Sequence, residues 1–284
     1  MGGSTPVPIN VRVDAWLETV PSLLKALNVK HVSLVSHSAG TIYLMNTVYQ
    51  QRDILDPHTP YIGLITPWVD TEHSRTTLMQ IISTLPASWL DSWDTVNGFI
   101  IDKIAPSLSW SGGVLTSMIN ILTSDPGVGD ASQTTSGERY GVSEEVGKSI
   151  DELQVKWWLA ENRQAANDEA RLCLRKDGGG SWGVCSDYQT FVQRFVERER
   201  ERRAQSPERS KVEIQIFFAE TDIMIGKGGQ RYFEGCWQQE GTQDAFDIKM
   251  SKLPGTDHDS ALLDVKGGAL KQIFERVANA RNPS

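Results

Sequence analysis

The chain reads Val32-Ser33-Leu34-Val35-Ser36-His37-Ser38-Ala39-Gly40-Thr41-Ile42-Tyr43-Leu44 at residues 32–44, and this stretch decides the predicted fold. An apolar β-type run breaks at small residues and resumes with helical character, which indicates a strand, a sharp turn and a helix. Ser38 lies at the turn. The small side chains of Ser36 and Gly40, two residues to either side, permit the strained backbone that exposes a hydroxyl. Ser38 is therefore the predicted nucleophile.

The residues that flank Ser38 have predicted roles of their own. The helix after the turn begins with unpaired backbone N–H groups and the positive end of its dipole. The amide of Ala39 is therefore predicted to bind an oxyanion that develops beside Ser38. For His37 two interpretations stay open, because its ring can pack and hydrogen-bond locally or contact a substrate.

Composition excludes several classes of partner. The chain has 284 residues, of which 39% are hydrophobic and 23% charged, as in an ordinary globular protein with enough apolar side chains for a core. The formal charge of −8 argues against binding to a phosphate backbone, which requires clustered Lys and Arg. No nucleic-acid partner is expected.

Cysteine usage and the N-terminal sequence bear on the compartment. The chain has 3 cysteines, in neither a disulfide framework nor metal-ligand spacing, and it carries no H-E-x-x-H motif. We therefore predict a reducing, cytoplasmic location, and neither metal nor cofactor. The N-terminus lacks a signal-peptide pattern. Residues 104–124 carry no charge, but Pro106, Gly112 and Gly113 interrupt them, so no transmembrane segment is expected.

Strand and helix patterns alternate in two separate parts of the chain. Apolar runs at 32–36, 61–66, 212–218 and 245–250 predict strands, and helical periodicity is found at 11–27, 39–50, 227–238 and 261–279. This alternation predicts a mainly parallel sheet. Between 71 and 205 the rhythm is lost, so we predict hydrolase-type core segments at 1–70 and 206–284 and a Trp-rich helical insertion at 71–205. Within the insertion, residues 194–202 alternate in charge and are interpreted as a solvated helix face.

Polar residues follow two of the later strands. Asp222 comes just after the strand at 212–218, and His258 lies in the loop after the strand at 245–250. Open α/β sheets place their chemistry at these strand ends. With Ser38, these residues give the order nucleophile, acid, histidine. Asp70, which follows the second strand, remains an alternative acid.

At these residues the sequence resembles the α/β-hydrolase superfamily, in particular lidded serine esterases, lipases and thioesterases. The resemblance rests on Ser36-His37-Ser38-Ala39-Gly40, Ala219-Glu220-Thr221-Asp222 and Gly255-Thr256-Asp257-His258-Asp259. It covers residues 1–70 and about 185–284. It implies a Ser38–His258–Asp222 triad that cleaves a hydrophobic small-molecule ester or thioester, of medium or large size, through an acyl-enzyme. His37, Trp68, Trp89 and Trp93 are the expected substrate-binding residues, although the tryptophans equally suit the core of the insertion.

The chain departs from the family pattern before Ser38. Gly2-Gly3-Ser4 resembles a family segment that follows the fourth strand, so the core is expected to lack its N-terminal strands. The family loop that supplies a second oxyanion donor is then missing, and residues 32–36 become an exposed sheet edge open to self-association. The alternative function is a catalytically impaired hydrolase that binds a hydrophobic ligand or a partner chain.

Overall fold

The computed structural model describes residues 4–86, 135–160, 164–176 and 181–281. Its strands are β1 (Leu34–His37), β2 (Tyr61–Ile65), β3 (Val212–Ala219) and β4 (Phe246–Leu253). Its helices are α1 (Arg12–Ala26), α2 (Gly40–Gln50), α3 (Thr71–Ser74), α4 (Thr77–Thr84), α5 (Ser136–Tyr140), α6 (Glu144–Ala160), α7 (Gln164–Cys173), α8 (Tyr188–Gln205), α9 (Gly226–Trp237), α10 (Thr242–Ala245), α11 (Ser260–Leu263) and α12 (Ala269–Arg281). Short 3-10 turns lie at Ile9–Val11, Arg52–Ile54 and Gly183–Cys185.

The four described strands form one parallel sheet in the order β1-β2-β3-β4. The predicted mainly parallel sheet is therefore confirmed. All five residues of β2 are buried, because helices cover both faces of the sheet. The carboxyl ends of the strands share one edge, which brings the residues that follow them close together.

The core has two layers of apolar side chains, one on each face of the sheet. On one face α1, α2, α8 and α9 contribute the larger cluster, which includes Phe191, Phe233 and Trp237. On the other face α11 and α12 contribute a smaller cluster around Ile273. The helix predicted at 261–279 is divided by residues 264–268 into α11 and α12. The division places α11 directly after the His258 loop.

β1 lies at one end of the sheet that the described residues form. Val35 on this strand is 41% exposed, as expected for an edge. The edge leaves backbone groups of β1 without a neighbouring strand among the described residues. Self-association through this edge stays a prediction, and so do the domain bounds at 70 and 205.

The predictions for the segment 71–205 have mixed outcomes. Its described parts are helical, in α3 to α8. Trp89, Trp93 and the uncharged run at 104–124 lie outside the described residues. Among the helices that are described, none is long and apolar enough to cross a membrane.

The interpretation of residues 194–202 as a solvated face is wrong at one charged position, Glu199, and at two apolar ones. Glu199 is 1% exposed and accepts a hydrogen bond from Arg52 Nε at 3.0 Å, while Arg52 itself is 5% exposed. Phe195 and Val196 on the same helix pack into the core. α8 therefore buries one ion pair together with its apolar side chains.

All three cysteines are buried free thiols. Burial raises the pKa of Cys185 to about 12 and that of Cys236 to about 11. Burial likewise raises the pKa of Cys173 well above its usual value. These side chains belong to the core cluster on the α2 face.

The buried pair predicts a strong and non-additive effect on stability. Replacing Glu199 with Ala should lower the free energy of unfolding by about 3–5 kcal/mol, because Arg52 is left buried without its carboxylate. The double variant Arg52→Met, Glu199→Leu should recover most of that loss. Urea denaturation measures the three proteins. Glu201→Ala, at an exposed position of the same helix, is the control, and an equal loss in that variant would contradict the prediction.

Candidate active site

Ser38 has a left-handed backbone, with φ of 51°. Its N–H still donates to Ile65 O of β2 at 3.0 Å, so the residue continues the sheet ladder. Its carbonyl already accepts from Thr41 N at 3.0 Å and from Trp68 N at 3.2 Å. Strand bonding on one side and helix bonding on the other hold the serine in a conformation that non-glycine residues rarely adopt.

The small residues around Ser38 are required by this turn. A Cβ atom on Gly40 would lie 3.3 Å from Ser36 Cβ, tighter than ordinary van der Waals contact. The first turn of α2 therefore packs directly on the end of β1. The requirement for small side chains at 36 and 40, inferred from the sequence, has this close approach as its physical cause.

His258 connects the nucleophile to the acid. Its Nε2 lies 2.8 Å from Ser38 Oγ, and its Nδ1 lies 2.9 Å from Asp222 Oδ2. A carboxylate only accepts, so Nδ1 carries a hydrogen and donates to Asp222. In the neutral ring Nε2 is then the acceptor for the Ser38 hydroxyl. The structure thus brings together all three residues predicted to form a triad.

Asp222 is fixed by backbone amides as well as by His258. Its Oδ1 accepts from Met224 N at 2.9 Å and from Ile225 N at 2.8 Å. The side chain has 0% exposure, so its orientation depends on these three donors. The alternative acid Asp70 instead caps α3 and pairs with Arg175 at 3.1 Å.

The surroundings of His258 shift its acid–base equilibrium. Burial on its own lowers the pKa of His258, but the charge and hydrogen bond of Asp222 raise it, with additional help from Asp259 and Asp257. The resulting pKa lies above the ordinary value of 6.5. A raised pKa strengthens the ring as a base towards the Ser38 hydroxyl and stabilises the imidazolium that proton transfer creates.

Ala39 presents its amide at the start of α2. Among the described residues the Ala39 N–H has no hydrogen-bond partner, whereas the neighbouring Ser38 N–H is bonded to β2. The helix dipole adds positive potential at this point. The geometry is therefore compatible with the predicted role of Ala39 as an oxyanion donor.

A cavity of about 760 Å³ opens beside Ser38. Its apolar wall includes Leu34, Val35, Leu44, Trp16 and Ala165. Ser4, Thr5 and Val7 also line it. A volume of this size accommodates a small organic ligand with mixed apolar and polar contacts.

The four residues predicted to bind substrate have different outcomes. His37 lines the cavity, and its Nε2 donates to the backbone carbonyl of His258 at 2.8 Å. Trp68 does not meet the prediction, because its side chain is 4% exposed inside the core and its Nε1 donates to Cys173 O at 3.3 Å. Its backbone N–H donates to Ser38 O, so Trp68 contacts the turn through its main chain. Trp89 and Trp93 lie outside the described residues.

Residues that the sequence analysis missed form the polar part of the cavity wall. Tyr43 on α2 donates to Glu169 Oε2 at 2.7 Å, and Arg12 Nη1 donates to the same carboxylate oxygen at 3.1 Å. Arg12 also pairs with Asp168 at 3.2 Å. These contacts join α1, α2 and α7 across 126 or more residues of sequence. Within the described part of the chain, no group of three His, Cys, Asp or Glu side chains could hold a metal ion.

Three features now occur together. The strands are parallel, the sharp turn between β1 and α2 holds Ser38 in a left-handed backbone, and Asp222 and His258 follow β3 and β4 in that order. This is the α/β-hydrolase fold. The resemblance stated from three short sequence segments is thereby confirmed at the level of the fold.

Comparison with known proteins finds solved structures to which the chain is similar, among them hydrolases and an esterase. The chain is similar to olei00960, a hydrolase from Oleispira antarctica, with 13% identity, a TM-score of 0.49, and coverage of 94% of this chain and 72% of that one. It is similar to the esterase RhEst1 from Rhodococcus sp. ECU1013, with 8% identity, a TM-score of 0.49 and coverage of 99% and 77%. For the epoxide hydrolase of Bacillus megaterium the values are 11%, 0.42, 98% and 79%.

No protein-family model matches the sequence, and no curated protein sequence matches it. At identities of 8–13% and TM-scores below 0.5, neither an activity nor a substrate is transferred from these structures to this chain.

The left-handed backbone predicts different stabilities for two variants that lack the Ser38 hydroxyl. Ser38→Gly should be more stable than Ser38→Ala by about 1 kcal/mol, because glycine adopts positive φ without a Cβ clash. Both lose the hydroxyl, so the pair isolates backbone strain from the loss of the side-chain hydrogen bond. Thermal melts of the two variants measure the difference. Equal melting temperatures, or a more stable alanine variant, would show that the elbow stores no such strain.

Proposed function

We propose that this protein is a serine hydrolase that cleaves a neutral, largely apolar carboxylic ester or thioester through an acyl-enzyme. The observation that carries the proposal is the continuous hydrogen-bond path from Ser38 Oγ through His258 to Asp222, at 2.8 and 2.9 Å. The proposed nucleophile, base and orienting acid are thus within hydrogen-bond distance of one another before any substrate is present. The alternative of an impaired ligand-binding protein has no comparable observation in its favour.

In the proposed reaction His258 Nε2 takes the hydroxyl proton as Ser38 Oγ attacks the acyl carbonyl. The oxyanion that forms accepts a hydrogen bond from Ala39 N–H at the positive end of α2. His258 then gives its Nε2 proton to the leaving oxygen or sulfur, and the acyl-enzyme remains on Ser38. Water attacks next, with His258 again accepting a proton, and His258 returns that proton to Ser38 Oγ as the carboxylic acid leaves. Asp222 stabilises the imidazolium at each stage without taking its proton.

The cavity wall favours an uncharged substrate group over an anionic one. Arg12 makes four hydrogen bonds to protein acceptors: Val7 O, Ala165 O, Asp168 and Glu169. Other donors of this wall are directed to protein groups as well, namely Tyr43 to Glu169, Trp16 to Thr47, Thr47 to Tyr43 O and Thr19 to Ala15 O. These donors are therefore not available to bind an anionic substrate group.

The net charge of the cluster formed by Arg12, Asp168 and Glu169 also favours an uncharged substrate group. One guanidinium, Arg12, faces two carboxylates, Asp168 and Glu169, of which Glu169 lines the cavity, so the cluster carries one net negative charge. The side chains are only 11–15% exposed, which leaves little solvent to screen that charge. Together with apolar Leu34, Leu44 and Trp16, this wall suits a neutral acyl chain.

The nucleophile is tested by labelling with a fluorophosphonate. The adduct should form on Ser38, and the labelling rate should rise with pH about a midpoint above 6.5, because Nε2 must be unprotonated and the pKa of His258 is raised. Asp222→Asn should slow labelling by about 10⁴-fold and lower the midpoint, since it removes the carboxylate that raises this pKa. Peptide mass spectrometry locates the adduct. Labelling at another residue, or an unchanged rate in His258→Ala, would refute the triad.

The substrate class is tested with p-nitrophenyl esters of matched length. The neutral hexanoate should be hydrolysed at least about tenfold faster, in kcat/KM, than the ester whose acyl chain ends in a carboxylate, since a tenfold ratio needs about 1.4 kcal/mol of discrimination. Glu169→Gln, which removes one negative charge from the wall, should narrow the ratio. A carboxylate-ended ester that is preferred by the unmodified protein would contradict the proposed class while leaving the triad in place.

A further inference from the structure

His37 makes a contact that the triad mechanism does not use. Its Nε2 lies 2.8 Å from the backbone carbonyl oxygen of His258, and the two imidazole centroids are 5.0 Å apart with planes tilted by 51°. A carbonyl only accepts, so His37 Nε2 carries a hydrogen and donates. The last residue of β1 thus bonds directly to the residue that serves Ser38.

The carbonyl of His258 has few other supports. Thr66, which follows β2, donates from Oγ1 at 3.4 Å, close to the limit of a hydrogen bond. The loop around His258 is otherwise anchored towards β3, through Thr221 N to Thr256 O at 3.0 Å and Gly255 N to Glu220 at 2.7 Å. Among the described residues, His37 therefore provides the shorter of two backbone anchors that hold His258 on the Ser38 side.

The charge state of His37 suits this position. Burial lowers the pKa of His37, the neighbouring His258 lowers it further, and its bond to the His258 carbonyl together with Asp259 and Asp222 opposes the shift without reversing it. A neutral donor holds the carbonyl without placing a second positive charge beside the His258 imidazolium. A lysine or arginine at this position would repel that imidazolium.

We propose that His37 is a positioning residue for the hydrolysis proposed above: by donating to the His258 carbonyl it keeps the imidazole in line with Ser38 Oγ. It acts through the backbone of the histidine loop and does not touch the reacting atoms. This inference rests on the proposed function for its catalytic consequence, whereas the anchoring of the loop can be measured without any substrate.

Three substitutions separate the donor from the ring. His37→Gln keeps a neutral N–H donor at a similar reach, His37→Leu removes the donor, and His37→Phe removes the donor but keeps a planar ring. Leu and Phe should lower kcat about tenfold with KM changed less than twofold, because small displacements of a catalytic group cost rate rather than binding. Gln should stay within about threefold of the unmodified protein, by the same argument. Melting temperatures identify any variant that loses its fold, and the other donor-free variant then replaces it.

Hydrogen exchange of the peptide spanning residues 253–261 gives the second measurement. The His37→Leu and His37→Phe variants should exchange faster in this peptide but not in the β2 peptide. The His37→Gln variant should leave the exchange rates of both peptides unchanged. Equal kinetics and equal exchange in all three variants would overturn the proposal, as would a Gln variant as impaired as Leu. If the unmodified protein neither labels at Ser38 nor turns over esters, the proposed function fails; exchange still decides whether His37 anchors the loop.

Discussion

The left-handed backbone of Ser38 is the constraint on which the site depends. Its amide belongs to the sheet through Ile65 O and its carbonyl belongs to the helix through Thr41 N, so one residue changes the direction of the chain. A left-handed non-glycine residue costs about 1–2 kcal/mol, which the paired strand and the buried helix α2 offset. The same turn requires Gly40 to approach Ser36. It leaves the hydroxyl within 2.8 Å of His258.

The parts of the fold that could be predicted from sequence have local signals. β1, β2 and β3 are short apolar runs, and the elbow is marked by small residues around Ser38, all readable within a window of a dozen residues. Asp222 and His258 were found because parallel strands end at one edge of the sheet, so residues far apart in sequence share that edge once the strand order is assumed. Their hydrogen bonds to each other and to Ser38 needed coordinates.

Contacts without a local signal were missed. The bond between Tyr43 and Glu169 joins positions 126 residues apart, and the pair of Arg52 and Glu199 joins positions 147 apart. Alternating charge near Glu199 looks the same whether a carboxylate faces water or a buried arginine, so the sequence favoured the commoner, solvated case. Trp68 follows the end of β2, and the sequence does not show whether its ring faces a pocket or, as in the structure, lies in the core.

The buried thiols change what the cysteine count implies about the protein's surroundings. Disulfide exchange and oxidation begin with a thiolate that solvent can reach, and the burial that raises the pKa of Cys173, Cys185 and Cys236 suppresses both conditions. The three thiols of the folded chain are consequently poorly placed to oxidise or to exchange disulfides. Unpaired cysteines that are buried in this way do not require a reducing compartment to stay unpaired in the folded protein, so the compartment stays a prediction.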